Sequence, residues 1–149
     1  ALFGDERADY AQALETHYRD GSRPDWPAHF ISAYAASHPW EDWAETWAHY
    51  LHMVDLLETA ASYGTCITVP DIPSTGQQLI QNPLGPVPPD FSVMQSQWVP
   101  LTLLHNSLNR SLGHGDAYPF AISGPAWDKL RFVHETISSY RSRATSQGG

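Results

Sequence analysis

The sequence predicts an all-α protein, with about five helices and one long proline-rich loop in a single domain of residues 1–149. Apolar residues recur with the 3.6-residue period of a helix in five segments of the chain. Glycine or proline stands at most of the expected helix ends. With 42% hydrophobic and 16% charged residues, the chain has enough apolar material to bury a sizeable core.

The first two predicted helices lie within the first forty residues. The first is predicted over residues 6–19, with Gly21 as its end. Asp25 is expected to cap the second helix, in which Pro27 occupies the first turn. The apolar residues of this second helix are Phe30, Ile31 and Tyr34.

The third predicted helix is the longest and runs from Pro39 to about Ser62. A break at His38 precedes it, and Gly64 follows its end. An i, i+3, i+4, i+7 spacing predicts that one stripe of this helix is buried. The residues of that stripe are Trp40, Trp43, Ala44, Trp47, Leu51 and Val54.

The second half of the chain contains the loop and two further helices. Residues 65–89 are rich in proline and glycine, which exclude continuous regular structure, although a short strand is predicted at 66–69. Asp90 is expected to cap a fourth helix that continues through Leu112, with Pro100 as a kink and Gly113 as its end. A last helix is predicted over residues 125–141, before a frayed polar tail at 142–149.

Composition excludes several classes of function. The formal charge of −8 argues against nucleic acids and anionic membrane surfaces as partners. No apolar run has the length of a membrane span. The single cysteine, Cys66, excludes an intramolecular disulfide and predicts a cytoplasmic location. Because the chain opens with large apolar side chains and no methionine, we expect it to be part of a longer protein.

The net charge is confined to the middle of the chain. Between Arg23 and Arg110 the sequence has eight acidic residues and no lysine or arginine. The flanks hold the other eight acidic residues and all eight basic ones, so they balance. The central carboxylates therefore need water, protonated histidine, a distant arginine or a bound metal as counter-charge. A solvated acidic face is the simpler explanation.

Four potential metal ligands lie along one face of the third predicted helix. Glu41, Glu45, His49 and His52 follow one another at i, i+4, i+8 and i+11, within an arc of about 80°. Carboxylate oxygen and imidazole nitrogen both suit zinc, and two side chains at i, i+4 can reach one ion. Four ligands along three turns cannot converge on one tetrahedral ion, so further ligands must come from elsewhere. A structural role is favoured for the remaining candidates, His29, His38, His105 and His134.

The sequence resembles a bacterial family of zinc-binding metallopeptidases that is grouped with the zincin-like enzymes. The resemblance rests on the segments LFGDER at 2–7, SAYA at 32–35 and NRSLG at 109–113. It rests above all on the sixteen residues from His38 to Met53, and it extends over nearly the whole chain. The zinc-protease motif His-Glu-x-x-His itself is absent from the chain.

The resemblance implies that this chain is the helical C-terminal half of a zincin-like metallopeptidase. A zinc ribbon and the His-Glu-x-x-His helix, which carries two zinc ligands and the general base, would precede Ala1. Glu41 matches the third zinc ligand, and Glu45 matches a carboxylate that orients a ligating histidine. His49 and His52 have no assigned role in the family; they would support the ligands, face the substrate or be structural.

The implied reaction is hydrolysis of a peptide or protein substrate by a zinc-activated water. Tyr34 and Tyr118 are candidates for stabilising the oxyanion, with plain packing favoured for each. The chain alone is expected to be inactive and to hold an incomplete zinc site or none. Its aromatic residues, left without the upstream segment, could drive self-association.

Two other functions stay open. The acidic, histidine-bearing helix would also suit a non-catalytic module that binds a metal or a protein. A di-iron helical bundle ranks lowest, because such proteins use Glu-x-x-His elements on two helices. Here a histidine stands four residues after Glu45, and no second helix repeats the pattern.

Overall fold

The computed structural model describes residues 2–68, 78–118 and 121–146. Within these residues the regular secondary structure is helical apart from two very short strands, so the predicted all-α fold class is confirmed. Its α-helices are α1 (Tyr10–Asp20), α2 (Pro39–Ser62), α3 (Phe91–Ser111) and α4 (Gly124–Ser146). The other elements are a 3-10 turn (Trp26–Ala28) and the strands β1 (Cys66–Ile67) and β2 (Gln78–Leu79).

The chain divides into two compact units. The first unit comprises Ala1–Leu51 and Ile122–Gly149 and contains α1, the beginning of α2, and α4. The second unit is His52–Ala121 and contains the end of α2, both strands and α3. The single domain expected from the sequence stays a prediction.

Each unit has its own buried apolar residues. Those of the first unit include Ile31, Ala35, Tyr50, Trp127, Leu130 and Val133. Those of the second unit include Met53, Leu57, Phe91, Met94, Trp98 and Leu101. Across the described part of the chain, none of the helices is both long and apolar enough to cross a lipid bilayer.

Helix α1 begins at Tyr10 and not at residue 6, because Asp9 caps it. The Asp9 carboxylate accepts a hydrogen bond from the Gln12 backbone N–H at 3.0 Å. At the other end, Gly21 has a φ of 81° and donates its N–H to the His17 carbonyl. Glycine adopts this left-handed conformation at little cost, so the predicted end at Gly21 is confirmed.

The prediction of a second α-helix is wrong, since only the 3-10 turn Trp26–Ala28 forms in that segment. Asp25 precedes the turn but makes no cap hydrogen bond, because Arg23 holds its two carboxylate oxygens at 2.6 and 2.7 Å. The backbone leaves the helical conformation at His29, where φ is −133°. The apolar residues of the segment are nevertheless buried or half-buried, namely Phe30, Ile31 and Tyr34.

Helix α2 has the predicted bounds, Pro39–Ser62. His38 caps it in an unusual way, because the acceptor is an imidazole nitrogen. Nδ1 of His38 accepts a hydrogen bond from the Trp40 N–H, and the His38 carbonyl accepts one from the Asp42 N–H, each at 3.0 Å. Gly64, with a φ of 61°, follows the end of the helix as predicted.

The buried side of α2 is not the predicted tryptophan stripe. Trp40 and Trp43 are 55% and 42% exposed, Leu51 is 49% exposed, and only Val54 of the six stripe residues is buried. The residues that are buried are Asp42, Thr46, Tyr50, Met53, Val54, Leu57 and Ala60. The apolar spacing misled because two of the inward residues, Asp42 and Thr46, are polar, and the partner of Asp42, Lys129, is distant in sequence.

The predicted strand at 66–69 is confirmed for Cys66–Ile67, and its last residue lies outside the described residues. This strand pairs antiparallel with β2, which was not predicted, and Cys66 stands opposite Leu79. Gln97 of α3 holds β2 in place. Its side-chain oxygen accepts a hydrogen bond from the Gln81 N–H and its NH₂ group donates one to the Leu79 carbonyl, each at 3.0 Å.

The ends of α3 and α4 differ from prediction in two details. Asp90 occupies the N-cap position of α3, but its carboxylate makes no cap hydrogen bond. Helix α4 begins at Gly124, where the Ser123 carbonyl accepts the Trp127 N–H at 2.9 Å. It continues past the predicted end at 141 to Ser146, and residues 147–149 lie outside the described residues.

Candidate metal centre

Glu41 lies in the first turn of α2, where a tyrosine of α1 holds its half-buried side chain. The Tyr10 hydroxyl donates a hydrogen bond to Glu41 Oε1 at 2.5 Å. Among the described residues, no donor makes a hydrogen bond to the second carboxylate oxygen, Oε2. Oε1 of this carboxylate is therefore fixed by Tyr10, and the lone pairs of Oε2 are not used by a described donor.

The Tyr10 ring is itself held by its surroundings. It packs edge-on against the His38 ring at 5.1 Å and tilted against Trp40 at 5.2 Å. Because His38 Nδ1 accepts a hydrogen bond, the neutral ring carries its proton on Nε2, which donates to the Ala8 carbonyl at 3.0 Å. The buried His38 thus ties the segment before α1 to the start of α2, which is the structural role predicted for it.

Tyr34, a predicted oxyanion candidate, belongs to the same group of tyrosines in the first unit. Burial raises the pKa of Tyr34 well above its ordinary value, and a hydrogen bond with Tyr18 and the negative charge of Glu41 raise it further. The pKa of Tyr10 is also raised, chiefly by its hydrogen bond to Glu41. Both hydroxyl groups are protonated at neutral pH, as is usual for tyrosine, and that of Tyr10 donates to Glu41.

Glu45 lies one turn after Glu41 and has a different partner. Ser32 Oγ donates a hydrogen bond to Glu45 Oε2 at 2.9 Å and accepts one from the Ala35 N–H at 3.0 Å. His49, one further turn along, donates from Nδ1 to the Glu45 backbone carbonyl at 2.9 Å. Because a carbonyl only accepts, Nε2 is the nitrogen of the neutral His49 ring that bears the lone pair.

His52 and Tyr118 are brought together in the second unit. The Tyr118 hydroxyl is hydrogen-bonded to His52 Nδ1, and the two rings meet edge to face at 5.7 Å. Tyr118 also packs against Trp98, and its backbone carbonyl accepts a hydrogen bond from Asn106 Nδ2 at 2.7 Å. Because the two residues are 66 positions apart in the sequence, no local pattern could have indicated this pair.

A buried ion pair in the first unit was missed by the sequence interpretation. Lys129 Nζ lies 2.6 Å from Asp42 Oδ2, and the two side chains are 7% and 1% exposed. Lys129 also donates to the His29 carbonyl at 3.0 Å and lies 4.3 Å from the centre of the Phe30 ring. Burial raises the pKa of Asp42, against the opposing effect of Lys129. A distant lysine thus supplies the counter-charge for one central carboxylate.

Two of the three tryptophans that were expected inside, Trp40 and Trp43, line an open apolar groove of the first unit. Its volume is about 520 Å³, and Glu6 is its one charged lining residue among those described. The Phe3 ring contacts Trp43 at 5.1 Å and Phe132 at 6.0 Å. The other apolar lining residues include Leu2, Pro39 and Trp40.

The donor chemistry of Glu41 fits one zinc ligand. Carboxylate oxygens bind zinc at about 2.0–2.2 Å, and one oxygen of Glu41 is not engaged by a described donor. Nowhere in the described ranges do three His, Cys, Asp or Glu side chains converge as a metal site would require. A metal ion at Glu41 would therefore need its other ligands from outside the described residues.

Sequence comparison assigns the chain to a family. The profile of the family described as "Putative zinc-binding metallo-peptidase" matches residues 1–136. The chain belongs to this family, and the resemblance noted from the sequence is confirmed.

Curated mycobacterial proteins are similar to almost the whole chain. "Uncharacterized protein Rv2568c" of Mycobacterium tuberculosis and "Uncharacterized protein Mb2598c" of Mycobacterium bovis are each 43% identical to it over 138 residues. These matches cover 91% of this chain but only 37% of each relative, so the chain spans little more than a third of their length. No solved structure matches the chain.

Proposed function

We propose that this chain is the C-terminal helical part of a zinc-dependent metallopeptidase, and that Glu41 is its ligand to the zinc ion. The observation that carries this proposal is the Glu41 carboxylate, held through Oε1 by Tyr10 and offering Oε2. Membership of a family described as zinc-binding supports the choice of metal. The other ligands would come from a segment upstream of residue 1, for which the greater length of the relatives leaves room.

Zinc, when bound, would supply Lewis-acid chemistry for the hydrolysis of a peptide bond. Glu41 would occupy one coordination position through Oε2. Glu45 would accept a hydrogen bond from the ring N–H of a ligating histidine in the upstream segment, beside its bond from Ser32. Such a bond fixes the orientation of the imidazole and raises its basicity.

Tyr34 would act as a hydrogen-bond donor to the substrate. Its hydroxyl is protonated at neutral pH, as tyrosine hydroxyl groups ordinarily are, and can therefore donate to developing negative charge. The substrate class is a peptide or protein. We place the activity in the cytoplasm because the only cysteine, Cys66, is unbridged and exposed. His49 and His52 keep the three alternatives given by the sequence, which are support of the ligands, contact with the substrate or a structural role. Tyr118 keeps two, stabilisation of the oxyanion or plain packing.

Zinc content tests the proposal directly. We expect the polypeptide that joins this chain to its upstream segment to bind one zinc ion in this domain. Glu41→Gln should lower that content, and Glu15→Gln, which changes an exposed glutamate of α1, should not. Undiminished zinc in Glu41→Gln, measured by elemental analysis, would remove Glu41 from the ligand set.

Proteolysis gives a second test. Residues 1–149 alone should not cleave casein, whereas the longer polypeptide should, in a reaction stopped by a chelator. Chelator-sensitive cleavage by the short chain would show that the ligands and base do not come from upstream.

A non-catalytic binding module is the second candidate function. The apolar groove favours it, because exposed tryptophan is uncommon on a surface that meets only water. Zinc binding by the longer polypeptide without cleavage of any peptide would support the module and contradict the peptidase.

A further inference from the structure

We propose that Tyr10 is a positioning residue for the metal centre: its hydroxyl holds Oε1 of Glu41 so that Oε2 is presented to the zinc ion. This inference rests on the proposed role of Glu41 as a ligand. It adds a residue of α1 that the sequence interpretation did not single out for any role.

Tyr10 restricts the conformational freedom of the Glu41 side chain. A glutamate side chain has three rotatable bonds, and ordering it at the moment of metal binding would weaken the affinity. The hydrogen bond from the Tyr10 hydroxyl, at 2.5 Å, is short, as is typical of bonds to a charged acceptor. It fixes the carboxylate before any metal arrives, and metal-ligating carboxylates are commonly hydrogen-bonded in this way.

The position of Tyr10 does not depend on Glu41. Its ring is packed between His38 and Trp40, and Asp9 caps the helix at this point. The His38 imidazole links the Ala8 carbonyl to the start of α2 through its two nitrogens. Loss of the hydroxyl group alone should therefore leave the ring and both helix ends where they are.

The two glutamates in this part of α2, Glu41 and Glu45, accept hydrogen bonds from different kinds of side chain. Glu45 receives its hydrogen bond from Ser32, a short side chain. Glu41 receives its bond from an aromatic side chain that approaches from another helix. Because the Tyr10 ring is held by packing against His38 and Trp40, its hydroxyl approaches Glu41 from a defined direction.

Zinc affinity tests the proposal, with the longer polypeptide defined above and a competing chromophoric chelator. Tyr10→Phe keeps the ring and removes the hydroxyl, and we expect it to weaken zinc binding about tenfold, at the low end of effects seen when a ligand loses its supporting bond. Glu41→Gln should weaken binding more. Tyr140→Phe, at a tyrosine that is 77% exposed, is the matched control and should bind as the unmodified protein does.

The visible spectrum of the cobalt-substituted protein supplies a readout that a purely structural role would not change. At saturating cobalt we expect a shifted absorption band in Tyr10→Phe, because the carboxylate approaches the ion differently. Circular dichroism checks that the variant is folded. As a second measurement, residues 1–149 without metal should show a coupling between Tyr10→Phe and Glu41→Gln in urea unfolding.

The outcomes separate this inference from the proposed function. Normal affinity and an unshifted cobalt spectrum in Tyr10→Phe, together with weak binding by Glu41→Gln, would overturn the role of Tyr10 alone. Normal affinity in Glu41→Gln would overturn both. The absence of any coupling in the urea experiment would show that the two side chains do not interact, and it too would overturn the role of Tyr10.

Discussion

Lys129 of α4 and Asp42 of α2 form an ion pair inside the first unit, with 2.6 Å between Nζ and Oδ2. Among the described residues, Lys129 supplies the compensation for the burial of the Asp42 carboxylate, through its close contact with Oδ2 and its positive charge. Burial still raises the pKa of Asp42. Removal of one partner from a buried ion pair strongly destabilises a protein, whereas replacement of both partners with apolar residues often costs little stability.

Removal of the lysine should therefore destabilise the protein strongly. Lys129→Met leaves the Asp42 carboxylate buried without a counter-charge, and we expect a loss of about 3–5 kcal/mol in the free energy of unfolding at pH 7. The double variant Asp42→Leu/Lys129→Met should recover most of this loss. Urea unfolding measures both, with Asp55→Ala at an exposed position of α2 as the control. Equal stability of the single and double variants would contradict the burial described here.

The same variant should respond to pH. Without Lys129, burial acts on Asp42 unopposed and its pKa in the folded state rises further above the unfolded value. A carboxyl group with a raised pKa in the folded state contributes stability below its unfolded pKa and loses that contribution as pH rises through the folded one. The deficit of Lys129→Met should thus be smallest in acid and grow towards neutral pH. A deficit that is constant between pH 4 and pH 7 would argue against this explanation.

The amide side chain of Gln97 links α3 to the segment that contains β2 in the second unit. Gln97→Met keeps the volume but leaves the Leu79 carbonyl and the Gln81 N–H without their partner. We expect a loss of about 2 kcal/mol in the free energy of unfolding. Ser96→Ala, at the neighbouring exposed position of α3, should change stability by less than about 0.5 kcal/mol.

Tryptophan fluorescence can distinguish the observed α2 from the predicted one. Trp43 is 42% exposed and Trp98 is 2% exposed. Trp43→Phe should remove emission that acrylamide quenches easily, whereas Trp98→Phe should remove emission that is protected. The helical pattern of the sequence predicted a buried Trp43. Emission from Trp43 that is protected from acrylamide would therefore support that prediction and contradict the exposed position described here.

Local signals in the sequence were sufficient for most helix ends. Pro39 and Gly64 bound α2 as expected, and Gly21 and Gly113 follow α1 and α3, because these residues restrict or permit particular backbone angles. Asp25 failed as a cap for a reason that is equally local. The neighbouring Arg23 donates hydrogen bonds to both oxygens of the Asp25 carboxylate, which therefore does not cap the helix. A prediction that considers Asp25 by itself does not include this competing interaction.

The candidate site shows where sequence reasoning stops. The spacing of Glu41, Glu45 and His49 placed them on one helix, as observed, but it gave no information about their partners. Tyr10 is 31 residues from Glu41, and Asp42 is oriented inward by a lysine of the last helix. Such contacts depend on the tertiary arrangement, and the residues involved carry no periodic signal of their own.

The first unit is assembled from two separate stretches of sequence, and this has a consequence for biosynthesis. Residues 52–121 form the second unit and leave the ribosome as one continuous piece, so this unit can pack early. Asp42 meets Lys129 only after α4 has been translated. A nascent chain that ends near position 121 would contain Asp42 of α2 before Lys129 has been made, so this carboxylate would lack the counter-charge that it has in the complete first unit.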